Sequence, residues 1–423
     1  MSAFRYFLTA VVVLLVASGA AFGGGFQINE HGTRAMGMGG AFSAQASDGS
    51  AMFFNPAGLA FQPGFRALAG VTLIAPMTSY TSATGTKTDM NSQIFFPPHA
   101  FVSYGLDNGV TFGVGFYVPF GLGTEWPTDW AGRYAAVKAD LQSYFINPTI
   151  AYKVSDEFSI GVGVSYVISN VSLKQNVPLA PLPLPDGSLK LEADGNAVNF
   201  NAGVLYKPTP QLSIGASYRH STKVDYEGTA EFSSMGPLAG LFPGGTGTTT
   251  IEFPNNIFAG IALQATPELI LEVDFQYIMW STYDTLKIGI PVGPPSPQPP
   301  LGTGAPLQGP QTLPRDWENT FMIRVGGEYQ LQKLALRAGF IYDKTPQPAK
   351  SVEPLVPDAN RIEFTVGLGY AITENITIDA AYQLILSSDR DAAPATSGSL
   401  AFLAGGTYKS TAHLFGLSLG YTM

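Results

Sequence analysis

The sequence predicts an all-β protein: a 14-stranded antiparallel transmembrane β-barrel plugged by a small N-terminal hatch. Three observations lead there. The chain starts with a leader-like segment, and its composition is poor in charge yet lacks a long apolar run beyond that segment. Period-2 alternation then recurs to the C-terminus, with short and long connections in turn.

Residues 1–23 carry one basic residue, Arg5, then the apolar run Phe7 to Val16 and the small residues Ala17 to Ala21. This is the pattern of a secretory signal peptide. The run is too short for a membrane helix, which needs about 20 residues. Cleavage after Gly23, with Ala21 three residues before the cut, makes Gly24 the mature N-terminus.

Residues 24–64 are dense in small residues, among them Gly32, Gly37, Gly39, Gly40, Ala41, Ala44, Ala46 and Gly49. Such a stretch suits backbone packed on backbone and reads as a plug, with an ordinary glycine-rich loop as the alternative. Asn55-Pro56 marks a reversal within it, because proline biases the residue before it away from the helical region.

Residues 65–423 are the expected barrel. Short turns fall at 107–109, 155–157, 207–210, 265–268, 331–333 and 373–375, and long Pro- and Gly-rich connections lie between them. Six short turns and seven long connections join fourteen strands, and an even number returns the chain end to the side of its start. Leu269, Leu271, Val273, Phe275 and Tyr277 alternate with Glu272, Asp274 and Gln276, which puts an apolar face toward lipid and a polar face inward. Tyr104, Tyr152, Tyr206, Tyr329 and Tyr370 sit beside short turns and Tyr421 beside the C-terminus, as an aromatic girdle at one interface would.

Composition removes several function classes. Only 13% of the 423 residues are charged, about half the usual share, and there is no cysteine, so disulfide, thiol-nucleophile and cysteine-metal chemistry are absent. A net charge of −9 lacks the basic footprint of a nucleic-acid binder. His31, His99, His220 and His413 are scattered without metal-ligand spacing, so no metal, cofactor or catalytic residue is expected. The inward carboxylates leave a barrel enzyme as a minor alternative. Gly161-Val162-Gly163 and Gly367-Leu368-Gly369 lack the strand-to-helix setting of a nucleotide loop and read as strand glycines that ease backbone packing.

The start Gly25-Phe26-Gln27 with Asn55-Pro56-Ala57 resembles the hatch of the outer-membrane long-chain fatty-acid transporters, the FadL-type family. The resemblance continues through Pro119-Phe120-Gly121-Leu122-Gly123-Thr124-Glu125, Asp129-Trp130-Ala131-Gly132-Arg133-Tyr134, Tyr218-Arg219, Trp280-Ser281, Asp343-Lys344-Thr345-Pro346 and Pro357-Asp358-Ala359-Asn360-Arg361, over most of the mature chain. The terminal Met423 departs from the aromatic end that outer-membrane barrels commonly carry. The resemblance implies a passive transporter of long-chain fatty acids or similar hydrophobic small molecules in the bacterial outer membrane, lipid-contacting and monomeric. A general diffusion porin, open to hydrophilic solutes, is the competing reading.

Two outer loops are apolar: Leu179, Leu182, Leu184 and Leu189 in one, and Met235, Leu238, Leu241 and Phe242 in the other. They are expected to capture ligand, with loop-to-loop packing as the alternative. Alternation over Leu212 to Tyr226 places Arg219 and Lys223 on the lumenal face as partners for a ligand carboxylate, with Arg133 and Arg361 as weaker candidates; pairing with lumenal carboxylates is the alternative. In the third strand, Pro119 removes a ladder donor and Gly121 and Gly123 weaken pairing. By resemblance the wall from Phe116 through Phe120 to Gly123 is broken and lies beside Asn55, Pro56 and Ala57, opening a sideways exit.

Overall fold

A computed structural model describes residues 24–179, 182–295, 308–393 and 405–423, so the expected signal peptide lies outside the described residues. One closed antiparallel sheet of fourteen staves surrounds a lumen. The first six staves are Gly64–Ser82, Lys87–Asp89 with Pro98–Gly105, Val110–Glu125, Lys138–Lys153, Phe158–Val177 and Gly187–Thr209. The next four are Leu212–Arg219 with Thr222–Ser233, Gly245–Phe253 with Asn255–Gln264, Leu269–Met279 with Thr285–Gly289, and Gln311–Pro314 with Thr320–Leu331. Leu334–Asp343, Arg361–Ala371, Ile376–Ser387 with Arg390–Ala392, and Gly406–Thr422 complete the wall. The last strand pairs with the first from Arg66 opposite Thr422 to Ser82 opposite Gly406. Closure matters because hydrocarbon offers no partner to an open sheet edge.

Alternation sets both faces of the wall, and its chemistry changes with height. Along the sixth strand Val198, Phe200, Val204 and Tyr206 face outward and are exposed, while Asn199 and Asn201 are buried inside. Farther from the short turns the same strand carries exposed Lys190, Glu192 and Asp194 outside and buried Leu189, Leu191 and Ala193 inside. The fifth strand repeats this, with Ile160 to Ile168 outward below and Val167 and Val171 inward above. Outside, lipid gives way to water; inside, a polar zone gives way to an apolar one. Tyr104, Tyr152, Tyr206, Tyr329, Tyr370 and Tyr421 are all exposed next to the short-turn rim.

The polar zone is filled by residues 24–62. Short helices Thr33–Gly37 and Ala51–Phe54 and the 3-10 turn Pro56–Phe61 make up this insert, and Gly39 and Gly40 turn the chain at φ 67° and 70°, which favours glycine. Strand glycines form its seat. A Cβ at Gly161 would lie 2.5 Å from the Pro56 carbonyl carbon, and one at Gly326 would lie 2.0 Å from the Met38 oxygen. Strand carboxylates supply the grip: Asp274 accepts the Phe42 and Ser43 amides at 3.0 and 2.9 Å, and Glu272 accepts those of Ala44 and Gln45 at 2.6 and 3.0 Å. Glu328 joins Arg34 of the insert at 2.7 Å to Arg337 of the wall at 2.5 Å. These inward acids hold backbone and guanidinium groups.

Gly161→Val should push residues 55–57 off the wall and destabilise the insert by about 1–3 kcal/mol, the usual range for overpacking, with the barrel retained. Limited proteolysis of residues 24–62 and planar-bilayer conductance would both rise; unchanged values would contradict this seating.

Candidate functional site

The wall is discontinuous on one side of the third strand. The second strand pairs with it only from Gly105 opposite Thr111 to Ala100 opposite Phe116. Residues 90–97 then leave the sheet, touching the first strand by the isolated bridge between Phe95 and Ile74. On the other side, pairing with the fourth strand slips between Tyr117 and Phe120, where Pro119 has no N–H to give. Ser143 repairs the slip: its hydroxyl donates to the Phe120 carbonyl at 2.7 Å and accepts the Phe120 amide at 3.2 Å.

The free edge of the third strand is met by the start of the insert. Gln27 lies opposite Phe120, the Ile28 amide donates to the Pro119 carbonyl at 2.9 Å, and the Gly121 amide donates to the Phe26 carbonyl at 3.1 Å. Glycine is needed on that edge, since a Cβ at Gly121 would lie 2.7 Å from Ile28 Cδ1 and one at Gly123 would lie 1.9 Å from Phe95. Behind this short pairing, Phe26 enters an aromatic box, with ring centroids 4.6 Å from Trp280, 5.6 Å from Tyr283 and 5.6 Å from Trp317. Trp280 also donates its indole N–H to the Gly24 carbonyl at 3.1 Å.

A cavity of roughly 360 Å³ adjoins this tail, walled by Phe26, Ile28, Phe95, Leu122, Ile385 and Leu414 among others. Its lining includes Leu141, which faces the lumen, and Gln142 and Tyr144, which face outward on the same strand, so the space runs through the gap. A second space of about 80 Å³ shares Phe26, Leu122, Leu141 and Val356 and continues among Leu173, Leu191, Ile251 and Leu286. The upper lumen is therefore a chamber with a largely apolar wall, Arg361 and several carboxylates on one part of it, and a side opening.

Residues 14–423 match the family model of outer membrane protein transport proteins (OMPP1/FadL/TodX). The chain belongs to this family. It is 25% identical to the long-chain fatty acid transport protein of Escherichia coli, with 88% of each chain covered, and 25% identical to outer membrane protein P1 of Haemophilus influenzae over the full length of both. Among solved structures, a Pseudomonas aeruginosa FadL homologue superposes with a TM-score of 0.82 at 22% identity, covering 94% of this chain and 100% of that one. The Pseudomonas putida toluene transporter TodX gives 0.74 at 19% identity, covering 95% and 99%. This FadL-type protein is an outer-membrane barrel of a family of transporters, and the open porin is not favoured.

The cations singled out in the sequence are dispersed. Arg219 is buried beneath the insert, donates to the Phe53 carbonyl at 2.9 Å and stacks over the Phe53 ring at 4.3 Å. Lys223 is not lumenal: the seventh strand breaks at His220 and Ser221, parity shifts, and Lys223 points into water beside Asp225 while Val224 and Tyr226 turn inward. Arg133 stands in an outer loop, where its 2.8 Å hydrogen bond to Asp186 raises its pKa. Of the four, only Arg361 lines the large cavity, and it is held by Asp358 at 2.6 Å and donates to the Gly25 carbonyl at 2.9 Å.

The apolar loop residues also divide. Leu179, Met235 and Phe242 bury one another, with Leu184, Leu238 and Leu241 against them, while Leu182 is half-buried. Leu189 belongs instead to the sixth strand and faces the lumen. Asn55, Pro56 and Ala57 do not border the gap; they sit on Gly161 and Gly203 of the fifth and sixth strands, and the neighbour at the gap is Phe26 to Ile28. Phe116, at the gap's lower corner, stacks on Tyr144 with parallel rings 6.0 Å apart. Tyr283, Trp317 and Phe95 went unmarked in the sequence and Trp280 was marked only for the family resemblance, although the apolar Phe95-Phe96-Pro97-Pro98 run is a local signal that the second strand stops.

His31 makes the tail sensitive to pH. It is enclosed by Phe53 and Tyr117 and bonds the Ile28 carbonyl at 2.9 Å through Nε2; burial first, then His99 and Arg219, push its pKa well below 6.5. A depressed folded pKa means that the released tail binds more protons, so seating is full above about pH 6.5 and weakens as pH falls below it. Hydrogen-exchange protection at residues 26–31, taken as the observed rate against the intrinsic rate at each pH, should fall between pH 7 and pH 5 and should lose that dependence in His31→Gln.

Proposed function

We propose that this protein is a passive route by which hydrophobic small molecules cross the bacterial outer membrane, leaving sideways through the gap beside the third strand. The observation that carries the reading is the apolar chamber that reaches both the lumen and the outer face of the wall, closed by three tail residues. A molecule collected above the barrel would settle in the chamber and exit when Phe26 to Ile28 withdraws from Pro119 and Phe120. The loop cluster around Leu179, Met235 and Phe242 would rearrange to admit it. Sideways release suits such cargo, because each methylene kept out of water is worth about 0.8 kcal/mol. A monomer suffices, since the first and last strands pair with each other and the tail covers part of the third strand's free edge.

Charge on the cavity wall bears on which cargo fits. Arg361 lies beside Asp343, Asp358 and Glu363, with Glu30 and Asp140 elsewhere on the lining, and it is already paired with Asp358. Neutral lipophiles, such as the aromatic hydrocarbon that the name of the toluene transporter denotes, fit this wall better than an ionised fatty acid. Glu272, Asp274 and Glu328, which could have served as lumenal acids, are engaged by the insert.

The test is uptake into cells expressing the protein. A neutral long-chain alcohol should enter faster than the matching fatty acid at neutral pH, and Gly123→Phe, which collides with Phe95, should slow that entry at least about tenfold while the barrel stays folded. Large steady ion conductance without lipophile uptake would overturn the reading in favour of a porin.

A further inference from the structure

Asp343 closes the eleventh strand and is 1% exposed, yet neither carboxylate oxygen has a hydrogen-bond partner of normal geometry. Its nearest cation, Arg361, stands 3.9 Å away and is engaged with Asp358 at 2.6 Å. Asp358 and Glu363 press further negative charge on the same spot and compete for Arg361, and Arg324, the other guanidinium within electrostatic reach, is shared with Asp274, Glu363 and Glu30. A buried carboxylate so poorly matched costs several kcal/mol unless a cation reaches it.

Gly24 lies against it. A Cβ on Gly24 would be 2.8 and 3.0 Å from the two Asp343 oxygens, and the Gly24 nitrogen is directed at them. The residue is pinned there by Trp280 on its own carbonyl and by Arg361 and Asp358 on the carbonyl and amide of Gly25. As an internal residue Gly24 offers a single neutral N–H. As a chain terminus it would offer an ammonium with three donors.

We infer that Asp343 is the counter-ion of the α-ammonium created on Gly24 when the leader is removed, so that processing itself latches the tail across the wall gap. Water splits the Gly23–Gly24 peptide bond with a membrane signal peptidase as catalyst. The leader departs with the Gly23 carboxylate, and the Gly24 nitrogen takes up a proton. The new charge corrects the deficit around Asp343 and holds Phe26 to Ile28 in register with the third strand. The pair does not depend on what the barrel carries.

The mature protein purified from outer membranes tests this. Its intact mass should begin at Gly24. The peptide from Gly24 to Arg34 contains no lysine, so acylation of its amine by an amine-selective reagent reads the α-amine alone. In Asp343→Asn the amine should react about tenfold faster at neutral pH, the factor expected when one ion pair no longer holds the proton, and exchange at residues 26–28 should accelerate with it. Should Asp343→Asn fail to assemble, an alanine inserted before Gly24, verified by mass, leaves the barrel sequence untouched and should produce the same two changes. A mature chain that starts elsewhere, or equal amine reactivity in the parent and the assembled variant, would overturn the inference.

Discussion

A strand edge without a partner is costly in a membrane, and this barrel carries one, from Tyr117 to Thr124 of the third strand. The segment from Phe26 to Ile28 covers part of it with a short antiparallel pairing at Pro119 to Gly121. Much else serves that contact. The aromatic box around Phe26 anchors one end, His31 on the Ile28 carbonyl holds the other, and Arg361 with Trp280 fixes the glycines before them. A few hydrogen bonds close the wall, against the long ladders that close every other seam, which makes this the seam that opens at least cost.

The body of the insert is built for the opposite behaviour. Glu272 and Asp274 take four consecutive amides, Glu328 bridges Arg34 to Arg337, and strand glycines admit the backbone at contact distance. Buried carboxylates that satisfy backbone donors are hard to release without leaving both sides unpaired. The contacts that would have to part for the side opening to clear lie in the tail, ahead of the helix at Thr33, and not in the body of the plug.

Fold and site were unequally legible in the sequence. Fourteen strands could be counted because turns such as Asp107-Asn108-Gly109 and period-2 faces such as Leu269 to Tyr277 are local signals. Lys223 was placed on the wrong face because a one-residue slip at His220 and Ser221 inverts parity without changing composition, at the height where the strand leaves lipid for water. Pro119 announced a weak strand, but which segment covers it depends on contacts ninety residues apart in sequence, and Asn55 to Ala57 was drawn there by analogy when Gly161 and Gly203 hold it. Arg361 was ranked below Arg219 because alternation says which face a residue occupies, not whether the insert already covers it.

In the proposed route, hydrophobic cargo leaves only when the tail parts from the third strand. Because the chain has no cysteine, Gln27→Cys with Phe120→Cys places a single disulfide across that pairing. Uptake of a neutral lipophile by the oxidised protein, compared with the same protein after reduction, tests the claim most directly. Uptake should stop on oxidation and return on reduction; equal uptake in both states would mean that cargo leaves without the tail moving.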